Sequence, residues 1–377
     1  MSLALERLTL REIQLPLREP FRISSGVQSV RRILLLELED ADGAVVWSEC
    51  VAPEQPNYTA ETIDTAWLAL ERWVAPRVLA RRYGDPAEVF PDLQRDFRGH
   101  LMAKAAVEMG LWALDAERRG SSLAARLGGT RAHLEIGISL GIQSNPAALL
   151  ERAGRALAEG YRKIKLKIEP GADVAYVRAV REALGPAAPL MADANNACTL
   201  ADTDRLLELD EFGLKMIEQP LAWDDLQRHA QLQRRLRTPL CLDESITSLE
   251  RAEDMVALGS GRIINIKPGR VGGFGPSLAI HDFCAARGVP VWCGGMLESG
   301  VGRAYNVALA SLANFVLPGD ISPSARYWSE DVVTPEWSMD GNGLMAVPLD
   351  RKGIGVEVDR ERVARLTVRE ERLRRAR

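Results

Sequence analysis

Cysteine and histidine are scarce in this chain, and their placement excludes several kinds of metal and redox site. The 377 residues contain five cysteines and four histidines, and no two cysteines form a C-x-x-C pair. Because such pairs hold zinc or form redox disulfides, neither kind of site is indicated. Widely spaced cysteines in an odd number are typical of reduced thiols, and we therefore expect a cytoplasmic protein.

Long apolar runs and a strong charge of one sign are also missing. No stretch approaches the roughly 20 apolar residues of a membrane-spanning helix, and the N-terminus has no basic segment followed by a long apolar one. The formal net charge of −4 does not indicate a surface that binds nucleic acid. We therefore expect a small-molecule partner, and neither nucleic acid nor a membrane.

The composition that is present is typical of a globular protein with a substantial core. Hydrophobic residues make up 46% and charged residues 27%, which argues against disorder or a fibrous repeat. The length exceeds the roughly 250–300 residues at which single hydrophobic cores stop growing. The chain is therefore expected to form a large domain and a smaller one.

The first part of the chain, residues 1–132, has the pattern of an α+β domain. Residues 5–17 and 29–40 are predicted as strands, joined by a loop at 19–26 that is rich in turn-forming and small residues. Two stretches with the helical spacing of apolar residues follow, at 60–78 and 101–118.

Region 133–325 alternates short apolar strands with helices, which predicts right-handed βαβ units and a parallel sheet. The predicted strands are 134–142, 163–168, 189–195, 214–220, 239–244, 262–268, 289–295 and 315–320. Eight such strands can close a barrel, and the alternative is an open doubly wound sheet. The remaining segment, 326–377, has no barrel partner and is expected to return to the first domain. Its charged tail, 370–377, is interpreted as a solvated or frayed helix end rather than a binding arm.

Charged residues stand at the carboxyl ends of five consecutive predicted barrel strands. They are Lys167, Asp193, Glu218, Asp243 and Lys267, and successive members are 24 to 26 residues apart. Any one of them could be a solvent-facing loop charge. Equivalent strand ends, however, converge on one face of a barrel, where the active sites of this fold are built. The regular spacing therefore predicts one shared site.

The three acids of this set, Asp193, Glu218 and Asp243, predict an all-oxygen metal site. Carboxylate ligands suit a hard cation such as Mg²⁺ or Mn²⁺ and match zinc poorly. The alternative is a structural network of hydrogen bonds, but three clustered carboxylates without a cation would repel one another. We expect Mg²⁺.

The two lysines of the set predict acid–base chemistry. Strands two and six face each other across an eight-stranded barrel, so Lys167 and Lys267 would flank a substrate from opposite sides. One could remove a proton while the other delivers a proton to the opposite face. Lys165, on the same strand face as Lys167, is placed to lower the pKa of that lysine by repulsion.

The motifs around these positions resemble those of a known family. KIKLKI, DANN, EQPL, CLDES, NIKPGRVGG and WCGGMLESGVGRA are similar to segments of the enolase superfamily, in its muconate-cycloisomerase-like group. Within that group they resemble the branch of o-succinylbenzoate synthases and N-acylamino-acid (N-succinylamino-acid) racemases. The resemblance spans essentially the whole chain.

The resemblance implies a (β/α)7β TIM-like barrel with an α+β capping domain, whose loop near 19–26 closes over the substrate. It implies the same three metal ligands, with Lys167 and Lys267 as the acid–base pair and Lys165 in support. A homo-oligomer is also expected. The implied substrate-binding residues are Ser139, Gly295, Met296, Glu298, Ser299, Phe21, Ser24 and Tyr58. The implied supporting residues are Asn195, Asn265, Glu244 and Arg270, of which Arg270 resembles an arginine of racemase-active members and Glu244 could simply be exposed.

Two absences narrow the reaction. No histidine ends the seventh predicted strand, where mandelate-racemase-like relatives carry one, and 320–322 lacks the D-x-D of dipeptide epimerases. The expected reaction is Mg²⁺-dependent removal of a proton α to a carboxylate. It would racemise N-succinylamino acids, form o-succinylbenzoate by dehydration, or both, and the alternative within the superfamily is a muconate-type cycloisomerase or another racemase or epimerase. A catalytically silent metal-binding barrel and a metal-dependent hydrolase are the alternatives from other classes.

Overall fold

The computed structural model describes residues 2–23 and 26–376. Its strands are β1 (Leu5–Ile23), β2 (Gly26–Asp40), β3 (Val45–Cys50), β4 (His133–Glu135), β5 (Gly137–Leu140), β6 (Lys163–Lys167), β7 (Leu190–Asp193), β8 (Ile217–Glu218), β9 (Leu240–Leu242), β10 (Ile263–Ile266), β11 (Val291–Cys293), β12 (Val333–Thr334), β13 (Leu344–Ala346), β14 (Glu357–Val358) and β15 (Thr367–Arg374).

The helices lie mainly between these strands. They are α1 (Ile63–Ala69), α2 (Ala75–Leu79), α3 (Val89–Gln94), α4 (Leu101–Arg119), α5 (Leu123–Arg126), α6 (Pro146–Ala158), α7 (Val174–Leu184), α8 (Thr203–Glu208), α9 (Leu226–Arg235), α10 (Leu249–Leu258), α11 (Pro268–Val271), α12 (Phe274–Ala285), α13 (Gly300–Ala310) and α14 (Arg360–Leu366). Across the described part of the chain, none of them is long and apolar enough to cross a bilayer. All five cysteines are buried and unpaired.

The N-terminal strands form an antiparallel sheet in the order β15-β1-β2-β3. Helix α4 packs so closely on this sheet that a Cβ at Gly110 would lie 2.8 Å from a methyl carbon of Leu38. The hydroxyl of Ser48 donates a hydrogen bond to the carbonyl of Ala106 in the same helix, at 2.7 Å. A larger residue at position 110 would therefore force the buried Leu38 side chain to move.

The predicted loop at 19–26 is largely strand. β1 continues to residue 23, and Phe21 and Arg22 pair with Gln28 and Val27 of β2. The pairing register shifts between Pro16 and Phe21, where proline has no N–H to donate. Turn-forming residues here mark an irregularity within a long hairpin rather than its end.

The described part of the tail at 370–377 is mostly exposed, as expected for a solvated segment, but the expectation of a helix end is wrong. Its residues as far as Arg374 belong to β15, which pairs antiparallel with β1. An unpaired edge of β1 offers a row of backbone donors and acceptors that a terminal segment can satisfy whatever its charge. Arg11 of β1 adds an ion pair to Glu370 at 3.1 Å.

The larger sheet is parallel and contains seven strands in the order β11-β10-β9-β8-β7-β6-β5. Each strand lies within its predicted range but is shorter, down to the two residues of β8. Residue 136 separates β4 from β5, and β4 pairs with β13 instead.

The predicted eighth strand, 315–320, does not form a strand. Pro318 interrupts this segment, and a residue without an N–H cannot donate to a continuous ladder. Single bridges nevertheless join the segment to both edges of the sheet, Phe315 to Val291 of β11 and Gly319 to Ile136 beside β5. The two edges of the parallel sheet are thus bridged by irregular backbone.

Candidate functional site

The register of the parallel sheet aligns the charged strand ends. Lys167 pairs with Asp193, and Asp193 pairs with Glu218 on the next strand. Asp243 and Lys267 each follow the last residue of their strand, β9 and β10. None of these five residues is more than 8% exposed. The five charged residues that are regularly spaced in the sequence therefore do lie together at one edge of the sheet.

Lys165 and Lys167 share one carboxylate. Both ammonium groups lie near Asp193 Oδ2, at 3.2 Å for Lys165 and 2.6 Å for Lys167. Lys165 also contacts Glu218 Oε2 at 3.1 Å. Burial alone would lower the pKa of Lys165, but the nearby carboxylates outweigh it and hold that pKa well above its usual value. Asp193 thus partly compensates the repulsion expected between the two lysines.

Asp320 belongs to this cluster, although its role was not predicted. Its carboxylate lies 2.7 Å from Lys165 and 3.2 Å from Lys163, and the Lys163 ammonium also sits 3.3 Å from the centre of the Trp292 ring. Burial opposes ionisation, yet the two ammonium groups lower the pKa of Asp320 to about 2. The sequence does contain a feature that indicates this role, because Asp320 is an acid at the end of the predicted eighth strand.

Asp243 is the centre of a second cluster, on the other side of the site. Its Oδ2 accepts a hydrogen bond from Lys267 at 2.7 Å, and its Oδ1 accepts one from Tyr58 at 2.9 Å and another from Arg270. The Lys267 ammonium also lies 4.5 Å from the centre of the Tyr58 ring. Burial disfavours the charge of Lys267, but Asp243 outweighs it and raises the pKa of this lysine.

The predicted supporting residues connect these clusters. Asn195 accepts a hydrogen bond from Lys167 and donates one to Glu244 at 3.1 Å. Asn265 donates to Glu218 Oε1 at 2.7 Å. Glu244 is only 4% exposed, so it is part of the buried network rather than a surface charge.

Gln219 was not predicted and holds the loop after β9. Its side-chain oxygen accepts from the backbone N–H of Asp243 at 3.0 Å, and its amide donates to Ser245 at 2.7 Å. It adopts a φ of 36°, which is uncommon for a residue other than glycine. Gln219 belongs to the EQPL segment, but that motif alone does not show that the residue holds the loop after β9.

The three predicted metal ligands are close together but are paired with lysines and arginine. Within residues 2–23 and 26–376, no group of three or more His, Cys, Asp or Glu side chains is arranged to hold a metal ion. Burial, and next the charge of Asp193, raise the pKa of Glu218 to about 8. An all-oxygen set in which one acid resists ionisation beside its neighbours is chemically suited to a hard divalent cation.

A cavity of about 240 Å³ opens beside the lysines. Lys167, Asn195 and Lys267 line it from the parallel sheet, and Gly295 to Leu297 line it from the loop after β11. The N-terminal region contributes Phe21, Gly26, Val27, Gln28, Arg31, Pro53, Glu54, Gln55, Asn57 and Tyr58. The cavity therefore lies between the parallel sheet and the N-terminal region.

The predicted substrate contacts divide into two groups. Phe21, Tyr58, Gly295 and Met296 line the cavity, whereas the described part of its wall does not include Ser139, Glu298 or Ser299. Glu298 accepts hydrogen bonds from the Met296 N–H and from Asn306, both at 2.8 Å. Ser139 is buried on β5 in register with Lys165. Ser24 lies outside the described residues.

Ser299 instead connects the loop after β11 to the N-terminal sheet. Its hydroxyl donates to Glu49 of β3 at 2.6 Å, and the backbone N–H of Gly302 donates to the same oxygen at 3.0 Å. Glu49 thereby satisfies free N–H groups at the start of α13.

A matching contact joins Glu108 of α4 to the N–H of Phe274 at the start of α12, at 2.7 Å. Gly273 has a φ of 124°, which side-chain-bearing residues rarely adopt, and a Cβ there would also lie 2.2 Å from Glu108 Oε2, so glycine is required.

Glu49 should make stability depend on pH. Burial raises its pKa from 4.5 to about 8, so between these values the native protein holds a proton that the unfolded chain has released. The free energy of unfolding should therefore fall as pH rises through this range, by at most about 1.4 kcal/mol per unit. Glu49→Gln keeps a hydrogen-bond acceptor but cannot ionise. Its free energy of unfolding, measured with denaturant at pH 5, 6.5 and 8, should therefore fall less steeply with pH than that of the wild type. The exposed Glu211→Gln is the control, and identical slopes in wild type and Glu49→Gln would contradict this assignment.

These features define an α/β protein with a lysine–carboxylate site at the carboxyl edge of a parallel sheet. Residues 148–363 match the family described as enolase C-terminal domain-like. Residues 6–128 match the N-terminal domain of mandelate racemases and muconate lactonizing enzymes. The chain belongs to the enolase superfamily, which confirms the predicted membership.

Similar proteins cover nearly the whole chain. An o-succinylbenzoate synthase of Geobacillus kaustophilus is 51% identical over 367 residues, 97% of each chain. An N-succinylamino acid racemase of an Amycolatopsis species is 50% identical over 349 residues, 92% of this chain and 93% of the relative. The crystal structure of an enolase-superfamily member from Listeria innocua superimposes with a TM-score of 0.95 at 39% identity, covering 99% of this chain and 100% of that one.

Proposed function

We propose that this protein removes the α-proton of a carboxylate substrate, racemising N-succinylamino acids and forming o-succinylbenzoate by dehydration from the same site. The observation that carries this proposal is the pair of buried lysines, Lys167 and Lys267, on one small cavity. The names of the relatives above support both reactions, which begin with the same proton removal. The alternative is another racemase or epimerase of the superfamily, or a muconate-type cycloisomerase.

In the racemisation, one lysine takes the α-proton and the other returns a proton to the opposite face. Lys167 ends β6 and Lys267 follows β10, four strands along the sheet, which supports approach from two sides. The base must be unprotonated, so its proton has to leave before it acts. Lys165 is proposed to position Lys167 through their shared carboxylate. In the dehydration, Lys167 is the base and Lys267 stabilises charge.

The proposed cofactor is Mg²⁺, or Mn²⁺, held by Asp193, Glu218 and Asp243. Their buried oxygens on neighbouring strand ends support a hard cation. A cation held by these residues would supply the positive charge that holds the substrate carboxylate and stabilises negative charge on its oxygens. Asn195, Asn265 and Glu244 hold the surrounding side chains in place through the hydrogen bonds already described.

Arg270 favours racemisation as one of the two activities. It donates a hydrogen bond to Asp243 Oδ1, while Lys267 donates to Oδ2 of the same carboxylate. A fixed positive charge on the shared carboxylate weakens the hold of that carboxylate on the lysine proton. A lysine that must both give and accept a proton benefits from this balance.

The proposed architecture has a (β/α)7β barrel over 133–325, which the bridges at 315 and 319 close. A capping domain at 1–132 precedes the barrel, and segment 326–377 returns to complete this domain. The pairing of β15 with β1 supports this division. We also propose a cytoplasmic location, which the unpaired cysteines support, and a homo-oligomer, which the half-exposed Trp73 and Trp223 support.

The test is proton exchange in D2O. The protein with Mg²⁺ is incubated with a panel of N-succinyl-L-amino acids, while NMR follows the α-proton and polarimetry follows the configuration. We expect exchange together with racemisation, because a two-base site replaces the proton from the face opposite to its removal. Exchange with no panel member would exclude the racemase assignment, and conversion of the cyclohexadiene precursor of o-succinylbenzoate would then be measured.

A further inference from the structure

Arg31 is a buried arginine on the cavity wall that has no ion-pair partner among the residues that the structure describes. The residue is only 2% exposed, yet it lines the cavity beside Lys167 and Lys267. Its guanidinium makes one hydrogen bond within the described residues, from Nη2 to the carbonyl of Val51 at 2.8 Å, and its Nε has no partner there. No carboxylate of the described chain lies within 4 Å of it. A buried charge of this kind is costly unless something pairs with it.

The acids around Arg31 are already engaged elsewhere. Glu49 accepts from Ser299 and Gly302, and its raised pKa leaves it largely protonated near neutral pH. Glu298 accepts from the Met296 N–H and from Asn306. Glu54 lines the cavity but is exposed at its edge, where water and salt screen its charge. The other two cavity cations differ from Arg31 because Asp193 and Asp243 pair with them directly.

We propose that Arg31 recognises a second, distal carboxylate on the substrate, the one that ends a succinyl group. This inference rests on the proposed function and adds a physical reason why the site prefers a succinyl group to other acyl groups. The reacting end of the substrate faces the lysines of the parallel sheet, and the distal end faces the N-terminal region that carries Arg31. A guanidinium stays charged at every physiological pH and matches a carboxylate in shape. Arg31 thus selects dicarboxylates over neutral N-acyl analogues.

The test compares two ligands that differ only in the distal charge. Calorimetry measures the binding of N-succinyl-L-leucine, and of its counterpart with a primary amide in place of the distal carboxylate, to the full chain with Mg²⁺. Wild type should bind the dicarboxylate about 10- to 100-fold more tightly, the usual range for a hydrogen bond to a charged group. Arg31→Gln should lose this preference and keep its affinity for the amide. Arg32→Gln is the matched control, because Arg32 is the neighbour on β2 and pairs with Glu12 and Asp64 instead.

Each outcome decides the proposal. Equal affinities in wild type, or a preference that persists in Arg31→Gln, would overturn it. If circular dichroism shows that Arg31→Gln is unfolded, Arg31→Lys decides: the retained charge should preserve part of the preference, and its complete loss in a folded variant overturns the proposal. A preference without α-proton exchange would reject the proposed reaction but keep the role of Arg31. Exchange without a preference would reject only the role of Arg31.

Discussion

Replacing Lys267 with alanine is expected to lower the racemisation rate by about 10²- to 10⁴-fold, the usual contribution of a positioned acid–base group. The same variant should still exchange the α-proton of one enantiomer, because Lys167 remains on the cavity. Lys167→Ala should retain exchange only with the opposite enantiomer. The fold should survive, since Tyr58 and Arg270 continue to donate hydrogen bonds to Asp243.

The measurement is stereospecific exchange in D2O with each enantiomer of an N-succinylamino acid. Lys215→Ala is the matched control, because Lys215 is an exposed lysine just before β8. If both single variants are folded and neither exchanges the α-proton of either enantiomer, the assignment of one enantiomer to each lysine is contradicted. The dehydration rate should respond differently. It should fall far more in Lys167→Ala than in Lys267→Ala, because in this reaction Lys167 is the base and Lys267 only stabilises charge.

Glu218→Gln is expected to abolish most Mg²⁺-dependent activity and to weaken metal binding by more than about 100-fold. The physical reason is charge: the side chain is fully buried, and the amide removes one of three anionic ligands. Loss of an outer partner of a ligand commonly weakens metal affinity about 10- to 100-fold, so loss of a ligand itself should exceed that. Mn²⁺ binding followed by electron paramagnetic resonance reports the affinity directly, without relying on turnover.

Glu211→Gln serves as the control, because Glu211 is a surface acid whose side chain is 73% exposed. Chelation of the wild-type protein should stop α-proton exchange, and added Mg²⁺ should restore it. Unchanged Mn²⁺ affinity in a folded Glu218→Gln would remove Glu218 from the ligand set.

The site was predictable from the sequence where the chain repeats. A βα unit has a nearly constant length, so charges at regular intervals from Lys167 to Lys267 had to meet at one edge of the sheet. Asp320 keeps that spacing, two βα units beyond Lys267, and its carboxylate reaches Lys165 even though Pro318 prevents a regular strand there.

The parts that sequence reasoning missed depend on contacts between distant segments. The charges of β15 are typical of a solvated tail, and only the free edge of β1 makes a strand of it. Arg31 and Glu49 belong to strands of the N-terminal sheet, and nothing in their local sequence shows that one lines a cavity and the other holds the start of α13. Interactions of this kind need the packed structure.

The two buried glutamates that hold helix starts have a consequence for protein engineering. Glu49 and Glu108 come from the N-terminal region, yet the N–H groups they satisfy belong to α13 and α12 of the parallel-sheet region. A chimera that joins the N-terminal half of one relative to the C-terminal half of another must keep both acids. Without them, it would leave buried donors unsatisfied at about 1–3 kcal/mol each. The two halves are therefore not interchangeable modules, and recombination should succeed only at crossover points that inherit these glutamates together with the helices they hold.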